Sequence, residues 1–321
     1  MKSTCHRQRG IALLLFLFLA IGIGATVFLS SWNTNRARID QDRKTQLALE
    51  QAKEALIGYA AAYKDSSGFP LPGRLPCPET LSPGSPIEGQ AQTSCSSVAT
   101  RLGRYPWNSL KTDRLLDGSG EPLWYAVSSG FYSASINSNS VGQLQLNSTP
   151  NAVIAIIFSP GPPLPGQNRS IPSATNPPQP SNYLDLGNAS GVTFISSGPT
   201  TTFNDHIITI TNSELFKVVN QRVLAEIRGP NNQSPLLPSL GLRGYYNSYG
   251  QLPWADINGD GAGDTNQTVG AVPYIDLATP WLNTNNWPPL ITYQRLTSSS
   301  AKISIGSTTM SIVPCTALPC P

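Results

Sequence analysis

Residues Ile11 to Ser30, IALLLFLFLAIGIGATVFLS, run for twenty residues without a charged side chain. As an α-helix rising ~1.5 Å per residue, such a run covers ~30 Å, the thickness of a bilayer's hydrocarbon core. Lys2, Arg7 and Arg9 stand before it, so the positive-inside rule keeps the N-terminus cytoplasmic and places everything after about Trp32 outside. A cleaved secretory signal would have a shorter apolar region, ~7–15 residues, ending in small residues before the mature chain. Here the apolar run instead passes into a helix-forming stretch from Asn33 to Tyr63, with Gly58 its only glycine and no proline. Ile39, Leu47, Leu49, Ala52, Leu56, Tyr59 and Tyr63 recur at three- to four-residue steps among charged residues. Span and amphipathic extension therefore read as one rod, roughly 80 Å long if straight. A rod of that length cannot bury itself in its own domain, so its projecting half must meet lipid or similar helices.

Composition narrows the function classes. Charged residues make up 12% of the 321, about half the usual share of ~25%, and net charge is +3. So balanced a chain carries no electrostatic footprint for nucleic acid. The only histidines are His6 and His206, which leaves His206 as the one candidate for histidine-dependent catalysis or zinc ligation. His206 falls in the strand-like run HIITIT, a sheet position. No G-x-S-x-G elbow occurs. The segment DGSGE, with Asp117 and Glu121, reads as a turn with solvated acids rather than a glycosidase pair. The chain is expected not to be an enzyme.

The leader supplies a resemblance. Arg7-Gln8-Arg9-Gly10, then a ~20-residue apolar segment and an amphipathic extension into a head, resembles type IV pilins and pseudopilins. The resemblance implies that a prepilin peptidase cuts after Gly10, leaving Ile11 as the methylated first residue. It implies partners too: other pilins or pseudopilins through the N-terminal helix, with the head in the periplasm of a bacterial inner-membrane protein. One departure matters. Major pilins carry Glu at the fifth mature position, where it neutralises a neighbour's amine; here that position is Leu15, and no acid occurs until Asp40. A buried unpaired ammonium is costly, so a subunit without that Glu suits a filament tip, where one side of the joint is absent. The expectation is a minor, tip or priming subunit of a type IV pilus or type II secretion-like filament. A signal-anchored extracytoplasmic adhesin or binding protein is the alternative.

The fold class expected is α+β: the long N-terminal helix, then a β-rich head. Its parts are a leader at 1–10, a rod at 11–63 with the span at 11–30, and head subdomains at 64–210 and 211–321. Within the head, Leu144 and Leu146 alternate as on a half-buried strand, and AVIAIIF at 152–158 reads as a buried central strand. Strands follow at 192–195 and 206–210, and alternating ones at 291–296 and 302–313. Residues 103–110 and 117–133 read as turn-rich connections, 160–185 as a surface excursion, and 229–244 as a Pro/Gly-rich break. Thr211-x-x-Glu214 is a capping box opening a helix to about Arg228. An internal echo joins the halves: helix 47–63 leads to Gly73-Arg-Leu-Pro-Cys, and helix 214–228 to Gly250-Gln-Leu-Pro-Trp. This suggests two pilin-like helix-plus-sheet units. The same segments resemble a set of large pilin-like proteins.

Four cysteines follow the apolar run, and in an oxidising compartment they pair. Three connectivities exist, and spacing favours Cys77–Cys95 and Cys315–Cys320; a zinc cage has no CxxC spacing behind it. The sharpest chemical motif is DINGDGAGD. Oxygens of Asp256, Asn258, Asp260 and Asp264, the Ala262 carbonyl and Gly261 at the sixth place match the first part of an EF-hand-type loop, which points to Ca2+. Gln267 replaces the bidentate Glu at the twelfth place, so a brace is expected rather than a sensor, with Asp276 a further carboxylate. Trp107, Trp124, Tyr125, Tyr245, Tyr246, Trp254, Trp281 and Trp287 read chiefly as core plugs.

Overall fold

The computed structural model describes residues 9–79, 84, 86–133, 135–169, 172–173, 176–191, 193–229 and 241–315, with the side chains of 9–13, 22, 24–35 and 152 outside the description. The first helix, α1 (Arg9–Ala62), is continuous over 54 residues. Its exit follows the sequence: beyond Ala62 the amide of Gly73 returns to the carbonyl of Ala60 at 2.8 Å. Asp65 closes the turn by accepting from the amides of Ser67 and Phe69.

The strands of the head are β1 (Leu102–Arg104), β2 (Trp124–Val127), β3 (Leu144–Leu146), β4 (Thr149–Val153), β5 (Ala155–Ser159), β6 (Thr193–Phe194), β7 (His206–Ile210), β8 (Val269–Ala271), β9 (Ile291–Arg295), β10 (Ala301–Ile305) and β11 (Thr308–Ile312). Among the described residues three α-helices join them: α2 (Asn212–Arg228), α3 (Gly241–Tyr249) and the single turn α4 (Trp281–Thr284). The fold is mixed α+β, and the described residues form three sheets in the orders β1-β2-β5-β7, β11-β10-β9-β8 and β4-β3-β6.

Burial explains the strand patterns. Every residue of β2 and β5 is buried because the first sheet is covered on both faces. One face meets α1. The other, with Trp124, Ile156 and Phe158, meets Leu144, Tyr183, Leu184 and Phe194 of the third sheet and the excursion. The strands β9 and β10 instead alternate, burying Ile291, Tyr293, Ala301, Ile303 and Ile305 and turning Thr292, Gln294 and Lys302 outward. The buried face of β10, with β11 beside it, receives α2. That helix opens with the capping box, Glu214 accepting from the Thr211 amide at 2.8 Å and Thr211 from the Glu214 amide at 3.4 Å. The helices α1 and α2 also pack on each other, tied by a Lys53–Glu214 ion pair at 2.6 Å. One apolar core thus runs from Ala48 through both sheets to Ile312. Phe216 marks the seam, its ring touching Phe131 of the first half and Trp287 of the second.

The two four-stranded sheets share one plan. Both are antiparallel throughout, with β1, β2, β5 and β7 matched in order by β8, β9, β10 and β11. Gly103 faces Tyr125 across the first pair of strands, and Gly270 faces Tyr293 across its counterpart. Neither glycine has room for a side chain: an added Cβ would strike Pro78 at one and the Asp256 carbonyl at the other. The Gly-x-Leu-Pro turns bury Leu75 and Leu252 alike. Each turn is followed at the same spacing by a buried acid, Glu79 and Asp256, that bridges onto a later segment at Ala91 and Ala271. The first four-stranded sheet is built from strands up to Ile210 and the second from strands beginning at Val269, and the core between them is shared.

Several local expectations change. The connections read as turns at 103–110 and 117–133 contain β1's end and the central strand β2, and α3 occupies part of the stretch read as a break. Short strands with no alternation, and a helix opening on Gly241, leave no periodic signal.

Candidate functional site

The rod is the first candidate. The C-terminal third of α1 belongs to the head: Ala48, Leu49, Ala52, Leu56, Ala60 and Ala61 are buried, and Thr45 with them. Residues 36–44 are all exposed. Toward the N-terminus, Leu14 to Leu19, Ile21 and Ile23 have relative exposures between 52% and 79%. Among the described residues no helix is long and apolar enough to cross a membrane. The expected span falls largely on positions whose side chains lie outside the description (11–13, 22 and 24–30), so the described apolar side chains run only from Leu14 to Ile23. Gly10 and Ile11 sit in the first turn of α1, their side chains likewise outside it.

Where the rod leaves the head, the DGSGE turn grips it. The Gly118 amide donates to Thr45 Oγ1 at 2.9 Å, and an added Cβ at Gly118 would strike the backbone of Gln41. The acid of this turn is not solvated as the sequence suggested. Asp117 is buried, its Oδ1 accepting from the Ser119 and Glu121 amides and the Ser119 hydroxyl. Its Oδ2 accepts from the Ser159 hydroxyl and the Gly161 amide.

The acidic loop is the second candidate. The structure places Asp256, Asn258, Asp260, Ala262 and Asp264 in one turn over the edge of the second sheet, where Asp256 bridges onto Ala271 of β8. Asp256, buried, spends Oδ1 on the Gly259 amide and Oδ2 on the Gly261 amide, at 2.7 and 2.9 Å. Asn258 Oδ1 accepts from the Asp260 amide, and Asp260 Oδ1 from the Ala262 amide. The Asn258 Nδ2 stands between Asp260 and Asp264, donating to each at 3.1 and 3.0 Å. Asp276 accepts from the Gly263 amide. Gly261 has φ +91°, and a Cβ there would strike the Tyr274 ring, so glycine is obligatory at this sixth place. The donors are all oxygens, the set that suits calcium. Asp260 and Asp264 converge, whereas Asp256 is committed to the loop's own amides, and among the described residues no group of three or more His, Cys, Asp or Glu is placed to hold a metal ion.

The disulfide Cys77–Cys95 is formed, with Cα atoms 5.7 Å apart, and closes the loop that follows the first Gly-x-Leu-Pro turn. Cys315 is buried and disulfide-bonded, and Cys320 lies outside the described residues. Trp124, Tyr125 and Trp287 are fully buried plugs, while His206 is exposed on β7.

One network escaped the sequence reading. The excursion from Pro160 to Asp205 is clasped by Arg169, whose guanidinium, 5% exposed, pairs with Glu121 at 3.3 Å. It also donates to the carbonyls of Pro160, Gly161, Asn182 and Tyr183 and to Gln167 Oε1. Gln167 in turn donates to Asp185 Oδ1. Asp205 Oδ2 accepts from the Asp185 amide and Asn188 Nδ2, and Asp185 Oδ2 from the Asn204 amide. Burial, with the neighbouring Asp185 charge adding to it, pushes the Asp205 carboxyl up to about 7. These residues are scattered singles in a Pro/Ser/Asn-rich stretch, and nothing local distinguishes them from solvated turn residues.

The chain matches no family model, no curated protein and no solved structure.

Proposed function

We propose that this chain is a minor, non-catalytic subunit of a type IV pilus or type II secretion-like filament, held in a bacterial inner membrane by 11–30 with its head in the periplasm. The observation that carries this reading is a single 54-residue helix whose described side chains become buried in the head only from Thr45 onward. A helix whose described side chains at 14–21, 23 and 36–44 are all exposed, apolar at its start and charged from Arg36, matches an element that sits in lipid and then lodges among sibling helices. Leu15, in place of the family's Glu, supports a tip or priming position. Partner contacts on this reading are made by the rod, and the prepilin peptidase acts between Gly10 and Ile11.

The test is N-terminal sequencing of the protein recovered from membranes, with Gly10→Ala beside it. A mature chain starting at Ile11, and loss of processing in the variant, are expected. A start near residue 31 would overturn the reading. Crosslinks from 33–63 to pilin helices separate a filament subunit from an anchored adhesin, which would form none.

The acidic loop is proposed to take calcium as a brace, on the strength of its oxygen-only donors and the convergence of Asp260 with Asp264. A cation there would displace the Asn258 amide from between the two carboxylates. Calcium should slow proteolysis within 256–271, and Asp260→Asn should abolish that protection; equal cleavage with and without calcium counts against the brace.

A further inference from the structure

We infer that Asp205 stands as a neutral carboxylic acid in the folded head, and that its proton is a latch on the joint that closes the excursion at the start of β7. The joint is a node of three side chains. Asp205 Oδ2 accepts from the Asp185 amide at 2.9 Å and from Asn188 Nδ2 at 2.8 Å. Asp185 Oδ2 accepts from the Asn204 amide, and Asn188 Oδ1 from the Ile195 amide, both at 2.7 Å. Residues 185–188, 195 and 204–205 are thus drawn together immediately before β7.

The surroundings decide the state of Asp205. Asp117, Asp185 and Asp205 are each at most 5% exposed. The charged groups that act on Asp205 are Asp185, which opposes its ionisation, and Arg169, which favours it. Arg169 is paired with Glu121, spends other donors on carbonyls, and meets Asp185 through Gln167. Asp117 enters the same network at Gly161 and adds a further buried carboxylate. His206, next in the chain, is exposed. None of the ion pairs among the described residues includes Asp205. Its Oδ1 is buried and receives no hydrogen bond. Ionised, that oxygen would share a charge with neither a paired cation nor a donor, and a group so placed neutralises instead. A proton on Oδ1 removes the charge and leaves Oδ2 to accept both of its bonds.

The direction of the pH response follows. Burial holds this carboxyl up to about 7, whereas in an opened excursion it returns to the ordinary range near 4. Closing the joint therefore takes up one proton between those limits. The contribution to closure is complete below pH ~4, declines as pH rises and is gone above ~7. The latch is tight in mild acid and slack in mild alkali.

The experiment uses the full chain in detergent with His206→Gln as background, so that the exposed imidazole beside Asp205 is removed. Hydrogen exchange of peptides covering 182–191 and 193–206 is followed from pH ~5 to ~8 and corrected for the intrinsic rate. Opening of these peptides should increase by roughly tenfold or more across this range. Asp205→Asn copies the neutral acid in size and keeps an oxygen to accept both bonds. It should hold the joint at pH ~8 as tightly as Asp205 does at pH ~5, with a change under about twofold over the range. The carboxyl carbon-13 resonance of Asp205 should shift with a midpoint above ~6. Opening that does not change with pH, a pH dependence that survives Asp205→Asn, or a midpoint at or below ~6 overturns the latch. Should Asp205→Asn fail to fold, the carbon-13 midpoint decides. Neither the rod nor the acidic loop takes part in this joint, so the filament and calcium readings keep their own tests.

Discussion

Tyr125 and Tyr293 hold the same place in the two halves of the molecule. Each is fully buried on the second strand of its sheet, faces a glycine across the first pair of strands, and donates its hydroxyl to the proline carbonyl of a Gly-x-Leu-Pro turn. The Tyr125 bond to Pro76 is 3.2 Å and the Tyr293 bond to Pro253 is 2.9 Å. The glycine makes room for the Gly-x-Leu-Pro chain to cross the sheet edge, and the phenol fastens that chain once it has crossed. A faint likeness between two turns in the sequence thus becomes a shared packing device in space.

Replacing either phenol should cost a definite amount. Tyr125→Phe and Tyr293→Phe keep the ring in place but leave a buried carbonyl without its donor, a loss of about 1–2 kcal/mol each. The effects should add within ~0.5 kcal/mol in the double variant, since each tyrosine secures its own turn. Urea unfolding of the two single variants and the double variant checks this, and a cost near zero at both positions would remove the fastening role.

Alkaline pH should unfold the head by the same groups. Burial raises the hydroxyl pKa of Tyr59 to about 12 and also pushes those of Tyr105, Tyr125 and Tyr293 up. In the unfolded chain these phenols ionise near 10, so the folded state holds its protons longer. Their contribution is complete below pH ~10 and is lost as pH rises through the folded values. Urea midpoints should be flat from pH 8 to 9.5 and fall steeply above 10, with a shallower fall in the Tyr125→Phe/Tyr293→Phe protein.

Gly118 should prove intolerant because of the rod, not because of its own turn. A methyl group there meets the backbone of Gln41, so the turn must back away from α1 and give up its bond to Thr45. Gly118→Ala should destabilise by about 1–3 kcal/mol, as overpacking does, and Thr45→Val by about 1. Thermal melts give the magnitudes. Faster proteolysis near residues 36–45 in Gly118→Ala would locate the damage at the joint, and unchanged cleavage there would argue against it.

Arg169 should be the keystone of the excursion. Lysine lacks the planar fork that reaches four carbonyls, Gln167 and Glu121 at once, so Arg169→Lys should fail nearly as badly as Arg169→Ala. Both should lower stability by roughly 3 kcal/mol or more, since buried acceptors and an unpaired carboxylate are left behind. Limited proteolysis should then cut within 160–205 while the second sheet stays protected. A lysine variant that behaves as wild type would show that charge alone suffices.

How far the chain could be read in advance follows the range of the forces involved. The rod, the capping box at Thr211 and Glu214, the doubly buried run at 155–159 and the alternating strands from Ile291 to Ile312 all rest on periodicity or on contacts three or four residues apart. A linear string carries those without loss. The strands β1, β2 and β8 are too short to show a period. Asp117, Asp185, Arg169 and Asp205 look in the string like ordinary turn residues, because what separates them from water is supplied by segments tens of residues away.

The amino-acid order alone therefore determined the long helix, its apolar start, the places where helices begin and the one-sided or two-sided burial of the longer strands. Tertiary structure decided that Tyr125 and Tyr293 are counterparts, that the two sheets share one core across α1 and α2, and that a Pro- and Asn-rich excursion closes around a single buried guanidinium. The physical reason is that periodicity is a property of neighbours in the chain, whereas burial of a charge is a property of whatever the fold brings against it.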